Sequence, residues 1–420
     1  MTLKLPTASE WATACAGDGE FALASRHWTG GLRLLVGESE LALRLDDGSV
    51  SAGPLGDHDA DGVIGFAGAE DVWERVLAGV PPRFHNDLMA NMFLGLGLTR
   101  QGDRVVHAQY YAAAMRAVEL LRPAAPEAPA MRDESGEAGR FDSPVGRYVH
   151  LELDGHDHRI YFEEAGEGIP LLMQHTAGCH GSQWRHLFEI PEITRSFRLI
   201  AYDLPYHGKS LPPITKSWWS ERYNLKGELL RSIPLKLAAA LGLEQPVFMG
   251  CSVGGLLALD LAYRHPEVFR AVISVEGALH IDGNLESVEE FWHPQVGNEY
   301  KARSMEGLTS PMSPEAYRKE TGYVYAAGWP PAFLGDLYYY IEDFDLRETA
   351  SQIDTNEVGV HILSGEYDWS GTAELGRAAH EAIPGSTWTE MKGVGHFPMS
   401  ENPVAFLEYL MPVLARVRSA

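Results

Sequence analysis

The stretch Gly250-Cys251-Ser252-Val253-Gly254 sets a serine between two glycines at the end of the apolar run Val247-Phe248-Met249. Downstream come a carboxylate, Asp368 in Gly365-Glu366-Tyr367-Asp368, and a histidine, His396 in Gly393-Val394-Gly395-His396-Phe397-Pro398. A serine hydroxyl is a poor nucleophile until a neighbouring base takes its proton, and that base must be oriented by an acid. The chain order Ser252, Asp368, His396 supplies all three groups, so the expectation is acyl transfer through a covalent intermediate. Glu276, at the end of Ala271-Val272-Ile273-Ser274-Val275, is a rival acid able to reach the same imidazole. Glu366 reads as a solvated charge on the rim.

An oxyanion developing on the substrate needs two preorganised donors. Val253 offers its backbone N–H at the start of a helix, where the dipole also favours negative charge. The turn His175-Thr176-Ala177-Gly178 offers a second, from Ala177 or alternatively Thr176. His175, Thr176, Trp184, Cys251, Trp218 and Trp292 are the expected lining of the substrate pocket. Cys251 has no cationic neighbour in sequence and reads as a small, unreactive residue facing the sheet or the pocket floor.

These groups need rigid supports. The apolar run that enters Gly250 continues past Ser252 into a small-residue amphipathic segment stopped at Pro266, which predicts strand, sharp turn and helix. Further strands are expected at 169–174, a buried run, and at 197–201, 271–275, 358–363 and 387–391, with a hairpin over 148–162 and a helix over 229–241. Apolar strands alternating with helices imply a mostly parallel sheet covered on both faces, with ligands at the carboxyl ends of the strands. Between Glu276 and Arg347 the alternation breaks into aromatic, Pro-punctuated helices, expected as a helical cap over about 277–347.

Upstream, 21–68 reads as antiparallel strands joined by tight turns at Asp46-Asp47-Gly48 and 57–61, followed by helices over 69–77 and 110–121. Residues 123–146 are rich in Pro, Ala, Glu, Gly and Ser and read as a linker. The expected organisation is an α+β domain over 1–122, the linker, and an α/β domain over 147–420.

Residues 147–418 resemble the α/β-hydrolase superfamily in its capped serine-esterase branch. The resemblance rests on His175-Thr176-Ala177-Gly178 with Trp184, the Asp203 to Ser210 turn, the Gly250 to Gly255 elbow, Gly365 to Asp368, and Gly395-His396-Phe397-Pro398. It implies Ser252, Asp368 and His396 as the triad, and Asp203 and His207 as turn-forming residues. Where the family usually has His-Gly, this chain has His175-Thr176, so the turn must accommodate a hydroxyl. A serine at 252 disfavours the dehalogenase and epoxide-hydrolase branches, which use aspartate there. The N-terminal region resembles the sterol-carrier-type lipid-binding fold; a packing or dimerisation domain, giving a homodimer, fits the same pattern.

The formal net charge of −24 argues against nucleic acid or an anionic membrane surface as partner. Three cysteines without metal-ligand spacing argue against a disulfide framework or zinc site, and a cytoplasmic location is expected. No run of about 18 apolar residues suggests a membrane span. The expected function is cofactor-independent hydrolysis of a carboxylic ester or lactone of a bulky apolar or aromatic small molecule. Carbon–carbon, amide or thioester cleavage on the same triad, or ligand binding without turnover, are the alternatives.

Overall fold

The computed structural model describes residues 3–55, 61–124, 131–132 and 138–419. Much of the expected linker, and residues 57–60 of the expected turn, lie outside the described residues. The chain forms two compact units, Met1–Pro129 with Glu290–Met312, and Ala130–Glu289 with Ser313–Ala420.

In the first unit, strands β1 (Gly30–Val36), β2 (Ser39–Asp46), β3 (Ser49–Ala52), β4 (Val63–Gly68) and β5 (Thr99–Gln101) form a sheet in the order β3-β2-β1-β4-β5. Its buried face packs on the long helix Arg104–Glu119, which starts at an Asp103 side-chain cap rather than at 110. Not every strand pair is antiparallel: β4 lies parallel to β1. A pure meander would leave β1 at an edge; instead β1 lies between β2 and β4, with Leu32 and Leu34 fully buried on one face of the sheet.

Residues 290–312 were expected inside the cap but belong to this first unit. Arg303, almost fully buried, donates to Glu119 at 2.5 Å and lies 3.7 Å from Glu306. Asn86 donates to the carbonyls of Gly307 and Thr309, and the rings of Tyr111 and Tyr300 meet edge to face. The sequence hides this because an amphipathic segment does not announce which core it serves. Breaking a buried ion pair by removing one partner costs about 3–5 kcal/mol, since the remaining charge stays buried. Arg303→Ala should therefore lower the stability of this unit by about that much in a guanidinium titration; an unchanged midpoint would remove 290–312 from its core.

The second unit holds eight strands: β6 (Val145–Leu153), β7 (His156–Ala165), β8 (Ile169–Gln174), β9 (Phe197–Tyr202), β10 (Val247–Cys251), β11 (Ala271–Val275), β12 (Gly359–Gly365) and β13 (Thr387–Met391). Their order is β13-β12-β11-β10-β8-β9-β7-β6, with β6 and β7 antiparallel to their neighbours and the other pairs parallel. Central strands β10 and β11 are buried along their whole length, which is why they read as unbroken apolar runs. The insertion between β11 and β12 keeps helices Glu315–Ala326 and Pro330–Leu337 and a π-helical turn, Tyr338–Asp343, in this unit. Among the described residues no helix is long and apolar enough to cross a membrane.

Candidate active site

Ser252 sits between β10 and the helix Val253–Arg264 with φ 59° and ψ −114°, a conformation that side chains rarely adopt. The turn can close only because its glycines lack side chains. A Cβ on Gly250 would lie 2.3 Å from the Gly254 carbonyl oxygen, and one on Gly255 would lie 2.3 Å from that of Val275. Strand and helix thus approach within backbone contact and hold the serine up at the strand's carboxyl end.

His396 is carried on the loop after β13. Its Nδ1 donates to Asp368 Oδ2 at 2.7 Å, and Asp368 is fully buried. That bond fixes the tautomer with the Nε2 lone pair free to accept a proton. Two contacts place the loop. The Cys251 thiol donates to the His396 carbonyl at 3.2 Å, which ties His396 to the residue beside Ser252. Glu401, also fully buried, accepts from the amides of Gly395 and Phe397 on either side of the histidine. Burial raises the Cys251 thiol well above its ordinary range, so it serves as a donor and not as a thiolate.

Glu276 does not bond His396. Both of its oxygens accept from the Gly365 amide, at 2.9 and 2.8 Å, and it shares a hydrogen bond with Asp368. Burial first, and then the negative field of Asp368, hold its carboxyl well above the usual carboxylate range. The unfolded glutamate ionises near its ordinary value of 4.5 and the folded one only at higher pH, so this group's contribution is complete below about 4.5 and is lost as pH rises through the folded value. Glu276→Gln, which copies the protonated form, should gain melting temperature relative to wild type from about pH 5 to about pH 8. A gap that is constant with pH would mean Glu276 is ionised in the fold.

In the turn after β8, Thr176 N donates to Gln183 Oε1 at 3.1 Å and Gly178 N to Asp336 Oδ2 at 2.8 Å. The amide of Ala177 stands between these two engaged amides. Val253 is the first helical residue, whose N–H has no acceptor within the helix. The Thr176 hydroxyl is taken up by Gln183 Oε1 and the Tyr325 hydroxyl, so it packs the turn and does not project into solvent.

The expected pocket residues disperse. His175 is fully buried, its Nδ1 donating to the Thr176 carbonyl and its Nε2 accepting from Leu204 N; burial holds it neutral, well below the ordinary histidine range. Trp184 is core, packed with Met173, Leu187 and Met399. Trp218 lines a separate groove of about 590 Å³ with Tyr206, Tyr223 and Trp329, which none of Ser252, Asp368 and His396 borders. Trp292 lies in the first unit. Aromatic content identified rings but not which surface each one covers.

Of the residues that meet the site from the insertion, Tyr325 and Asp336 were not singled out by sequence, and Tyr340 stood there only as one of several insertion aromatics. Tyr325 reaches Thr176, and Asp336 reaches Gly178. Tyr340 is buried, bonds Ser370 Oγ at 3.1 Å and also interacts with the Ser252 hydroxyl. Tyr340 is one of three consecutive tyrosines, and the π-helical turn beneath them breaks the period that would have said which faces inward.

A model of the family described as alpha/beta hydrolase fold matches residues 169–403. An uncharacterized protein of Mycobacterium bovis is 26% identical over 275 residues, covering 60% of this chain and 77% of that protein. A pimeloyl-[acyl-carrier protein] methyl ester esterase of Aeromonas hydrophila is 32% identical over 118 residues, 28% of this chain and 41% of the esterase. Among solved structures, a thermophilic esterase from Thermogutta terrifontis superposes with a TM-score of 0.56 at 19% identity, over 65% of this chain and 99% of the esterase. The chain therefore belongs to the alpha/beta hydrolase fold family, a membership that supports hydrolase activity.

Proposed function

We propose that the chain is a serine hydrolase that cleaves a carboxylic ester or lactone through an acyl-enzyme. The observation that carries the reading is the joint at 251–252: the strained elbow raises Ser252 while the neighbouring Cys251 thiol holds the His396 loop beside it. His396 Nε2 takes the Ser252 proton as Oγ bonds the acyl carbon, and Asp368 stabilises the imidazolium that forms. The amides of Ala177 and Val253 receive the oxyanion. The tetrahedral adduct then expels the alcohol, to which His396 returns the proton. Water repeats the sequence on the acyl-enzyme, releasing the acid and restoring Ser252 Oγ–H.

Apolar rings pack around the turn that carries Ala177 and Gly178. Phe333 packs against Gly178, where a Cβ would fall 2.8 Å from that of Phe333, and Tyr325 packs against both Phe333 and Phe397. These rings favour an apolar acyl group, and the methyl ester esterase among the relatives fits an ester as the scissile bond. A series of p-nitrophenyl esters of increasing acyl length tests this reading. Turnover with a burst of nitrophenolate equal to the enzyme concentration is the expected result. Failure of the protein to hydrolyse any member would leave a ligand-binding protein on a hydrolase fold.

A further inference from the structure

We propose that Asp336, on the insertion helix Pro330–Leu337, is a positioning residue that builds the oxyanion-binding turn; the proposal rests on the hydrolase reading above. Asp336 is fully buried, and three donors converge on its carboxylate. Oδ2 accepts from Gly178 N and from His207 Nε2, each at 2.8 Å, and Oδ1 accepts from the Tyr223 hydroxyl at 3.1 Å.

The Ala177 N–H lies in the peptide plane it shares with the Thr176 carbonyl, and the next plane, which carries the Gly178 N–H, fixes the backbone just beyond it. On the amino side, the Thr176 N–H is held by Gln183 Oε1, and its carbonyl by His175 Nδ1 and by the Cys179 N–H. On the carboxyl side Gly178 adopts φ 64°, a left-handed conformation that only glycine takes without strain, and its N–H is held by Asp336 alone. An acceptor here must also be charged. His207 donates from both ring nitrogens, Nδ1 to the Pro205 carbonyl at 2.8 Å and Nε2 to Asp336. Burial would depress this histidine, but the Asp336 carboxylate overrides that and raises it. Asp336 and His207 thus form a buried ion pair that locks the turn after β8 to the turn after β9. A misdirected Ala177 amide would leave the tetrahedral intermediate with one donor fewer while ground-state binding stayed nearly the same.

The test compares Asp336→Ala, Asp336→Asn and Tyr223→Phe in the full-length protein, using p-nitrophenyl butyrate, with active sites counted by titration with a fluorophosphonate. Expressed per titrated site, kcat should fall by about 10²-fold in Asp336→Ala and about 10-fold in Asp336→Asn, with KM within about 3-fold of wild type. Tyr223→Phe keeps both bonds to Oδ2 and should stay within about 3-fold. A merely structural role would lower the number of titratable sites or the melting temperature but not kcat per site. Unchanged kcat per site in Asp336→Asn, the variant that best keeps the shape, would overturn the proposal even if Asp336→Ala does not fold. A wild-type protein that neither turns over nor takes the label would overturn both this proposal and the hydrolase reading, whereas active wild type with equally active Asp336 variants overturns this proposal alone.

Discussion

Ser252→Ala is expected to lower kcat/KM for an ester by at least about 10⁴-fold while leaving the melting temperature within about 2 °C of wild type. The size of the effect follows from the loss of the covalent route; what remains is the electrostatic help of the two amides and of substrate binding. The small effect on stability follows from the site. The side chain is almost fully buried, but the strained backbone at 252 is imposed by the close packing of Gly250 on Gly254 and of Gly255 on Val275, which the substitution leaves intact. Loss of turnover together with collapse of the fold would mean that the hydroxyl holds the elbow together and does not react.

The second large effect separates the two carboxylates beside His396. Asp368→Asn keeps the shape but presents either an amide N–H or a weaker acceptor to His396 Nδ1, which favours the wrong tautomer and removes the charge that stabilises the imidazolium. A loss of about 10³–10⁴-fold in kcat is expected, as for a triad acid generally. Glu276→Gln should cost less than about 10-fold. Its amide can still donate to Asp368 and its oxygen can still accept from Gly365 N, the two bonds a protonated Glu276 makes. Near-normal turnover in Asp368→Asn and collapse in Glu276→Gln would reverse the assignment of the acid.

How much of this was legible in the sequence depended on how local each signal is. Strands β8, β11 and β13 read correctly to the residue; β8 and β11 did so because buried parallel strands are short apolar runs bounded by turn signals. Ser252, Asp368 and His396 were legible for a related reason: each stands at a strand's carboxyl end on a glycine-marked turn. Chain order favoured Asp368 over Glu276 but left Glu276 as a rival, since both end strands next to each other. Only the Nδ1 bond at 2.7 Å distinguishes them.

What stayed hidden is tertiary. Asp336, Tyr340 and Glu401 act through partners 158, 88 and 6 residues away in sequence, such as Gly178, Ser252 and Gly395, and nothing about an isolated Asp, Tyr or Glu names its partner. The tryptophans misled for the same reason. Trp184, Trp218 and Trp292 were grouped by chemistry alone, yet one fills the core, one lines a separate groove and one belongs to the first unit. Likewise residues 290–312 have the composition of the surrounding insertion, and it takes contacts such as the Arg303–Glu119 pair, the bonds from Asn86 and the Tyr111–Tyr300 ring pair to assign them to the first unit.

The most direct test of the central claim is to treat the full-length protein with a fluorophosphonate and map the adduct by peptide mass spectrometry. One adduct per chain on Ser252, absent from Ser252→Ala and formed in step with loss of ester hydrolysis, is the predicted result. Undiminished hydrolysis with Ser252 unlabelled, or an adduct on another residue that tracks the loss of activity, would contradict Ser252 as the nucleophile.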